Sequence, residues 1–203
     1  MADAPHPPHR HLTPETIRFC ALCGAGLELR PVGPDKRREM VCSACEFVFY
    51  VNQKVVAGTI PWQDGRLLLT RRAINPAHGK WTFPGGYVDW GETVDAAALR
   101  ETWEETGLLV ELTRFIGVFG GRDHHITYGS GDEMAYVAFA FEARVVGGSL
   151  VLDGKESLEA RYVTREEAFL LDLSPQTRRA LSVVFEEGDG TYFDAPTWAP
   201  PAV

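Results

Sequence analysis

The sequence lacks a long apolar run. Nothing in its 203 residues approaches the roughly 18–20 consecutive apolar residues that a membrane helix requires. Residues 1–14 also lack the apolar stretch of a secretory signal. Apolar residues make up 45% of the chain and charged residues 24%, as in an ordinary globular protein. We therefore expect a cytoplasmic protein without a membrane partner, built from one domain of ordinary size and a small appendage.

The chain also lacks an excess of basic residues, since its formal net charge is −8. Binding along a nucleic-acid backbone needs a basic surface, so the composition argues against a nucleic-acid partner. An acidic protein can still bind a small molecule that carries phosphates, provided that metal ions lie between the like charges.

Cysteine is absent after position 45. The four cysteines follow the pattern C-x2-C-x18-C-x2-C and are Cys20, Cys23, Cys42 and Cys45. This spacing is typical of a four-cysteine zinc site, with two disulfides as the alternative. Thiols stay reduced in a protein that is not exported, which favours Zn²⁺. Gly33 and Pro34 predict a hairpin turn between the two pairs, so residues 18–50 are interpreted as a zinc ribbon.

Composition and periodicity divide the rest of the chain. Residues 1–17 include a Pro- and His-rich stretch that predicts a disordered leader, with a metal-binding tract as the alternative. Residues 51–187 alternate strand patterns with two or three helices, which predicts a mixed sheet in an α/β sandwich. Residues 188–203 predict a loose, Pro-rich tail.

An acidic helix is predicted from Thr93 to Thr106, with Thr93 as its N-cap and Gly107 as its stop. Its glutamates at positions 101, 104 and 105 share one face, where like charges destabilise a helix by about 0.2–0.5 kcal/mol per pair. No lysine relieves this crowding, although a solvated acidic face is the alternative reading. Carboxylate oxygens favour Mg²⁺ or Mn²⁺ over Zn²⁺. Trp103 lies on the far side of the helix from Glu101 and is predicted to pack in the core.

The helix and the Pro84-Gly85-Gly86 run before it resemble the Nudix box, G-x5-E-x7-R-E-U-x-E-E-x-G-U, where U is apolar. The matching positions are Gly86, Glu92, Arg100, Glu101, Glu104, Glu105, Gly107 and Leu108. Thr102 departs from the pattern at the first apolar position. The similar region covers about residues 54–187, and the resemblance implies a Nudix-type α/β/α sandwich.

The resemblance also implies a Mg²⁺- or Mn²⁺-dependent pyrophosphohydrolase. Arg100 would orient the glutamates, and Glu101 would double as general base. Glu133 is a weaker candidate than Glu156 for a ligand supplied by a later loop. The implied ligands of the divalent ions are Gly86 through its carbonyl, Glu92, Glu101, Glu104, Glu105 and Glu156.

A zinc ribbon ahead of a Nudix domain resembles two subgroups. NADH pyrophosphatases carry a proline-rich segment after the box, but no proline occurs here between Pro84 and Pro175. The other subgroup acts on FAD or ADP-ribose and is closer in the run Asn52–Gly58. We therefore expect cleavage of the pyrophosphate in a FAD- or ADP-ribose-type compound, giving a nucleoside monophosphate and a phosphorylated fragment. NADH or another dinucleotide is the alternative.

Substrate contacts are less clearly marked than the metal ligands. Arg71 and Arg72 could hold a phosphate, and Tyr87 and Tyr128 could stack on a base, although each can also be an ordinary surface residue. A competing hypothesis from another class is a non-catalytic Nudix ligand sensor whose ribbon binds nucleic acid. The intact box argues against it. The ribbon could instead serve as a structural cap or support a homodimer.

Overall fold

The computed structural model describes residues 16–121, 124–127, 133–152, 154–186 and 190–194. Most of the predicted leader and tail, and Tyr128, lie outside these described residues. The chain forms two compact units, one from Met1–Gln53 and His125–Ala135, the other from Lys54–His124 and Tyr136–Val203. Along the chain the elements are β1 (Leu27–Val32), β2 (Arg37–Cys42), β3 (Val48–Phe49), β4 (Lys54–Gln63), β5 (Arg66–Arg72), β6 (Trp81–Thr82), β7 (Gly85–Tyr87), α1 (Val94–Thr106), β8 (Leu108–Phe119), β9 (His125–Thr127), β10 (Glu133–Gly148), β11 (Ser157–Val163), α2 (Arg165–Leu170), α3 (Pro175–Glu186) and β12 (Tyr192–Phe193).

The first unit contains a three-stranded antiparallel sheet in the order β1-β2-β3. The turn between β1 and β2 includes Gly33 at φ +73° and Lys36 at φ +52°, so the predicted hairpin is present. β1 and β2 pair from Leu27 opposite Cys42 to Val32 opposite Arg37. This pairing places the end of β2, with Cys42, beside the start of β1. The start of β10 pairs with β9 as a further antiparallel ladder of this unit.

The second unit is built on a mixed sheet in the order β11-β5-β4-β10-β8-β12, with β6 added beside β5 and β7 beside β4. β4 and β10 run parallel, as do β8 and β12, while the other pairs are antiparallel. Two hydrophobic clusters show the layers. The larger joins the sheet to α2 and α3 and includes Ile60, Leu67, Leu69, Ile116, Ala168, Ala180 and Leu181. In the smaller cluster, Ala97 and Ala98 of α1 pack on Ala57 of β4. The predicted α/β/α sandwich is therefore confirmed.

The helix boundaries follow their capping residues. Thr93 caps α1 by accepting from the Ala96 N–H, and Gly107 ends it in the left-handed conformation. Thr164 and Glu167 form a capping box at the start of α2. Among the described residues, no helix is both long enough and apolar enough to cross a membrane.

The prediction for Trp103 was wrong, because this side chain is 55% exposed. The buried face of α1 consists of Ala97, Ala98, Thr102, Glu105 and Thr106. Glu105 lies near the centre of that face, and Trp103 lies about 160° around the helix from it. The carboxylate side of α1 therefore turns inward, and the tryptophan opposite to it turns outward.

Candidate active site

A close crossing of two backbone segments forms the floor of the candidate site. A Cβ atom at Gly58 of β4 would lie 2.7 Å from the Pro84 carbonyl oxygen, and one at Gly85 would lie 2.7 Å from the Ala57 carbonyl oxygen. Glycine at 58 and 85 thus lets the two segments touch. Gly86 has a different constraint, since its Cβ would lie 2.5 Å from the carboxyl carbon of Glu101. The Glu101 carboxylate therefore lies directly against the main chain at Gly86.

Arg100 pairs with three of the box glutamates. Its Nε and Nη2 atoms each donate to one oxygen of Glu92, both at 2.9 Å. Its Nη1 donates to Glu101 at 2.8 Å and to Glu104 at 2.9 Å. Nη2 also donates to the Tyr87 carbonyl at 2.8 Å. One planar guanidinium thus fixes the orientation of the acidic side chains relative to β7, which is the geometry that suits arginine rather than lysine.

Glu105 occupies the most buried acidic position of the site. Its residue is 7% exposed, and the carboxylate accepts a hydrogen bond from the Gly85 backbone N–H. Burial, together with the charges of Glu101 and Glu156, raises the pKa of Glu105 to about 8, against an opposing effect of Arg72. Burial likewise raises the pKa of Glu101 despite its bond to Arg100. Loss of contact with water is thus the main cause of both raised pKa values, and it outweighs the nearby arginines.

Glu156 approaches this pair from another part of the chain. It directly precedes β11, and its backbone carbonyl accepts from the Ala73 N–H at 2.7 Å. Its charge acts on both Glu101 and Glu105. The structure thus brings the later carboxylate of the sequence analysis to the helix glutamates. Glu133, the weaker candidate, begins β10 within the first unit.

The predicted substrate residues separate in the structure. Arg71 and Arg72 are consecutive on β5, so their side chains point to opposite faces of the sheet. Arg71 donates to the Gly79 carbonyl at 2.9 Å and lies 3.9 Å from Glu159. Arg72 donates to the Pro76 carbonyl at 2.8 Å, and its charge acts on Glu105. Arg72 is therefore on the side of the glutamates. Tyr87 is 40% exposed on β7.

The donor set fits a hard divalent cation. In addition to burial, the negative charge of Glu156 raises the pKa values of Glu101 and Glu105, and Gly86 lets the main chain lie against the Glu101 carboxylate. Such oxygen donors suit Mg²⁺ or Mn²⁺. Within the described part of the chain, these oxygens do not draw as close together as the cysteine sulfurs, whose four atoms all lie within 4.8 Å. Arg100 supplies the positive charge between Glu92, Glu101 and Glu104.

The four cysteines form a compact cluster in the first unit. Their Sγ atoms are 3.7 Å apart for Cys20–Cys45, 3.4 Å for Cys23–Cys42 and 3.5 Å for Cys23–Cys45. All four are free thiols, so the alternative of two disulfides is absent. Four sulfurs around Zn²⁺ at about 2.3 Å stand about 3.8 Å apart, close to these separations.

The backbone between Cys42 and Cys45 stabilises the thiolate form of Cys42. The N–H groups of Ala44 and Cys45 each point at the Cys42 sulfur at 3.4 Å. These hydrogen bonds lower the pKa of Cys42 to about 6. Since the thiolate is the form that binds a metal, the cluster could hold one metal ion.

Comparisons with known proteins agree with this geometry. The NUDIX domain family matches residues 52–184, and the Nudix N-terminal family, a zinc ribbon, matches residues 18–51. An ADP-ribose pyrophosphatase from Methanocaldococcus jannaschii is 33% identical over 118 residues, which cover 58% of this chain and 65% of that protein. An NAD-capped RNA hydrolase, NudC, from Salmonella heidelberg is 28% identical over 155 residues, 76% of this chain and 54% of that protein. The match thus spans less than two thirds of either relative.

A solved structure extends the likeness across both units. A NUDIX hydrolase from Nitrosomonas europaea has 29% sequence identity and a TM-score of 0.71, covering 87% of this chain and 97% of that one. The family match covers more than half of the chain and includes every residue of the glutamate site. The chain therefore belongs to the Nudix hydrolase family, with that family's N-terminal zinc-ribbon module ahead of the catalytic domain.

Proposed function

We propose that the protein is a Mg²⁺- or Mn²⁺-dependent hydrolase that cleaves the pyrophosphate bond of a nucleoside diphosphate linked to another group. The observation that carries this proposal is the position of Glu105. A carboxylate is buried on the helix face that meets Gly85 and is crowded by Glu101 and Glu156. A divalent cation bound among these carboxylates would relieve this crowding.

Each residue of the site has a separate role in this proposal. Glu101, Glu104, Glu105 and Glu156 supply carboxylate oxygens, and Gly86 supplies its carbonyl. Both oxygens of Glu92 bind Arg100, so we propose that Glu92 orients Arg100 rather than binding a cation directly. Glu101 keeps the proposed part of general base, since only its Oε1 accepts from Arg100.

The bound divalent cations would neutralise the diphosphate and activate a water molecule for in-line attack on phosphorus. The side chains hold the reacting groups in line. Arg72, on the glutamate side of β5, would contact a phosphate oxygen, and Tyr87 would stack on a base at the exposed edge of β7. The products would be a nucleoside monophosphate and a phosphorylated fragment.

ADP-ribose is the first substrate to test, with FAD next. The relative from Methanocaldococcus jannaschii is named for ADP-ribose and is 33% identical over the matched segment. NADH and NAD-capped RNA are the second choice, supported by the longer match to NudC. The absence of proline between Pro84 and Pro175 counts against them, because NADH pyrophosphatases have a proline-rich segment there. We further propose that the cysteine cluster holds a structural Zn²⁺.

A substrate panel tests the reaction class and the ranking together. ADP-ribose, FAD, NADH, NAD-capped RNA, diadenosine polyphosphates, coenzyme A and nucleoside triphosphates would be incubated with the full chain and Mg²⁺ or Mn²⁺, and the products separated by chromatography. We expect cation-dependent release of a nucleoside monophosphate, fastest from ADP-ribose or FAD. A ligand-sensing regulator would instead bind one of these compounds and release no product.

A substitution at Glu104 tests the site. Glu104→Gln keeps the shape of the side chain and removes one proposed ligand charge, so turnover should fall by about 100-fold or more while the melting temperature stays near wild type. Glu111→Gln is the matched control, because Glu111 is an exposed glutamate on β8 that pairs with Arg144 away from the box. Near-normal turnover in Glu104→Gln would contradict the assignment of the site.

A further inference from the structure

Two threonine hydroxyls meet between the acidic helix and the central sheet. Thr59 of β4 and Thr102 of α1 are both 0% exposed, and their Oγ1 atoms are 2.6 Å apart. Thr102 also donates to the Ala98 carbonyl at 2.7 Å. A hydroxyl carries one proton, so Thr102 has none left for its partner. The Thr59 hydroxyl must therefore donate to Thr102.

Thr59 is also hydrogen-bonded to the loop formed by Pro84, Gly85 and Gly86. Its backbone N–H donates to the Pro84 carbonyl at 3.1 Å. The next N–H along, that of Gly85, donates to the Glu105 carboxylate. Hydrogen bonds thus connect Thr102 to Thr59, Thr59 to the Pro84-Gly85 backbone, and Gly85 to Glu105, which lies three residues after Thr102 on the same helix. Thr59 thus connects to α1 through its side chain and to the loop through its backbone.

We propose that this hydroxyl pair is a positioning device for the cation site, a role that rests on the proposed function. It holds α1 against β4 so closely that Glu105 reaches Gly85 and Glu101 lies on Gly86. Two methyl groups in the same place would meet at about 3.5–4.0 Å instead of 2.6 Å. Apolar side chains at both positions would therefore move the helix outward by about 1 Å. Thr102 stands where the box pattern has an apolar residue, so this chain uses a hydrogen bond where the pattern indicates an apolar contact.

Valine substitutions at Thr59 and Thr102 distinguish an effect on the stability of the protein from an effect on the position of α1. Thr102→Val leaves the Thr59 proton buried without an acceptor, whereas Thr59→Val leaves the Thr102 proton bound to Ala98. Thr102→Val should therefore lower the melting temperature more than Thr59→Val does. The double variant removes both hydroxyls, so its melting temperature should return toward wild type.

The second measurement is the affinity of the full chain for Mn²⁺, determined by titration calorimetry. If the hydroxyl pair only stabilised the fold, this affinity would not change in a variant of restored stability. In Thr59→Val/Thr102→Val we expect the Mn²⁺ dissociation constant to rise about tenfold or more although stability is restored, because residues that orient ligands contribute about that much. Thr59→Ser and Thr102→Ser keep the hydroxyls and lose a methyl group. They should melt earlier than wild type and bind Mn²⁺ as tightly as wild type.

The outcomes distinguish this inference from the proposed function. Wild-type Mn²⁺ affinity in the double valine variant would overturn the positioning role and leave the proposed function standing. The same result follows if affinity in all variants simply tracks the melting temperature. Equal Mn²⁺ binding by wild type and Glu105→Gln would show that the glutamates are not the cation site, and both proposals would then fail.

Discussion

Replacing Glu105 by glutamine should remove a large pH dependence from the stability of the cation-free protein. The folded state raises the pKa of this carboxyl from 4.5 to about 8. A raised folded-state pKa means that the folded chain holds a proton that the unfolded chain has released. Its contribution to stability is therefore complete below about pH 4.5 and is lost as the pH rises toward 8. Glutamine has no proton to lose, and its oxygen can still accept from Gly85.

The magnitude follows from the two pKa values. Each pKa unit corresponds to about 1.4 kcal/mol, so between about pH 5 and about pH 7.5 the free energy of unfolding of wild type should fall by about 3 kcal/mol relative to Glu105→Gln. Urea unfolding followed by circular dichroism, in buffer without Mg²⁺ or Mn²⁺, measures this difference. Because both proteins share every other titrating group, the difference reports Glu105 together with its coupling to Glu101 and Glu156.

Added Mn²⁺ provides the control, since in the proposed site it would bind the ionised carboxyl. At about pH 7.5, Mn²⁺ should raise the free energy of unfolding of the wild-type protein and leave that of Glu105→Gln unchanged. Parallel stability curves for the two proteins from pH 5 to 7.5 would refute the reasoning, because they would show that Glu105 keeps an ordinary pKa in the fold.

Two further substitutions test Gly86 and the cysteine cluster. Gly86→Ala would place a Cβ 2.5 Å from the carboxyl carbon of Glu101, so Mn²⁺ affinity measured by calorimetry should fall about tenfold or more. The matched control is Gly147→Ala on β10, whose Cβ would meet Leu109 at an ordinary 3.6 Å and which should bind Mn²⁺ as wild type does. Equal affinity in both variants would contradict the role of Gly86. In Cys42→Ser, the purified chain should no longer contain stoichiometric zinc, as measured by atomic absorption. Residues 18–50 should also become sensitive to protease. Unchanged zinc content would show that the cysteines are not the zinc ligands.

The parts of the site that could be predicted from sequence are those set by local spacing. Thr93 and Gly107 gave the limits of α1, because capping depends on residues within one turn. The clustering of the glutamates on one helical face required only the helical period. The cysteine cluster followed from the pattern of its pairs.

What the sequence could not reveal depends on long-range packing. Trp103 was assigned to the core on the assumption that charged faces point to solvent, yet the site required the acidic face to turn inward. Thr59 carried no signal of its own, since a threonine in a strand is ordinary. The mismatch at Thr102 was the available clue, because a hydroxyl at an apolar position must find a partner when it is buried. That the side chains of Arg71 and Arg72 point to opposite faces is clear once β5 is known to be a strand.

Under the proposed function, the pairing of Arg100 with three glutamates matters when divalent cations are scarce. The guanidinium already compensates Glu92, Glu101 and Glu104, while Glu105 can hold a proton. If the glutamates hold cations as proposed, their departure would leave Arg100 beside three of the carboxylates and a proton on Glu105, so the acidic helix would not face unopposed repulsion. The proposed ligands would then stay largely in place for the next ion.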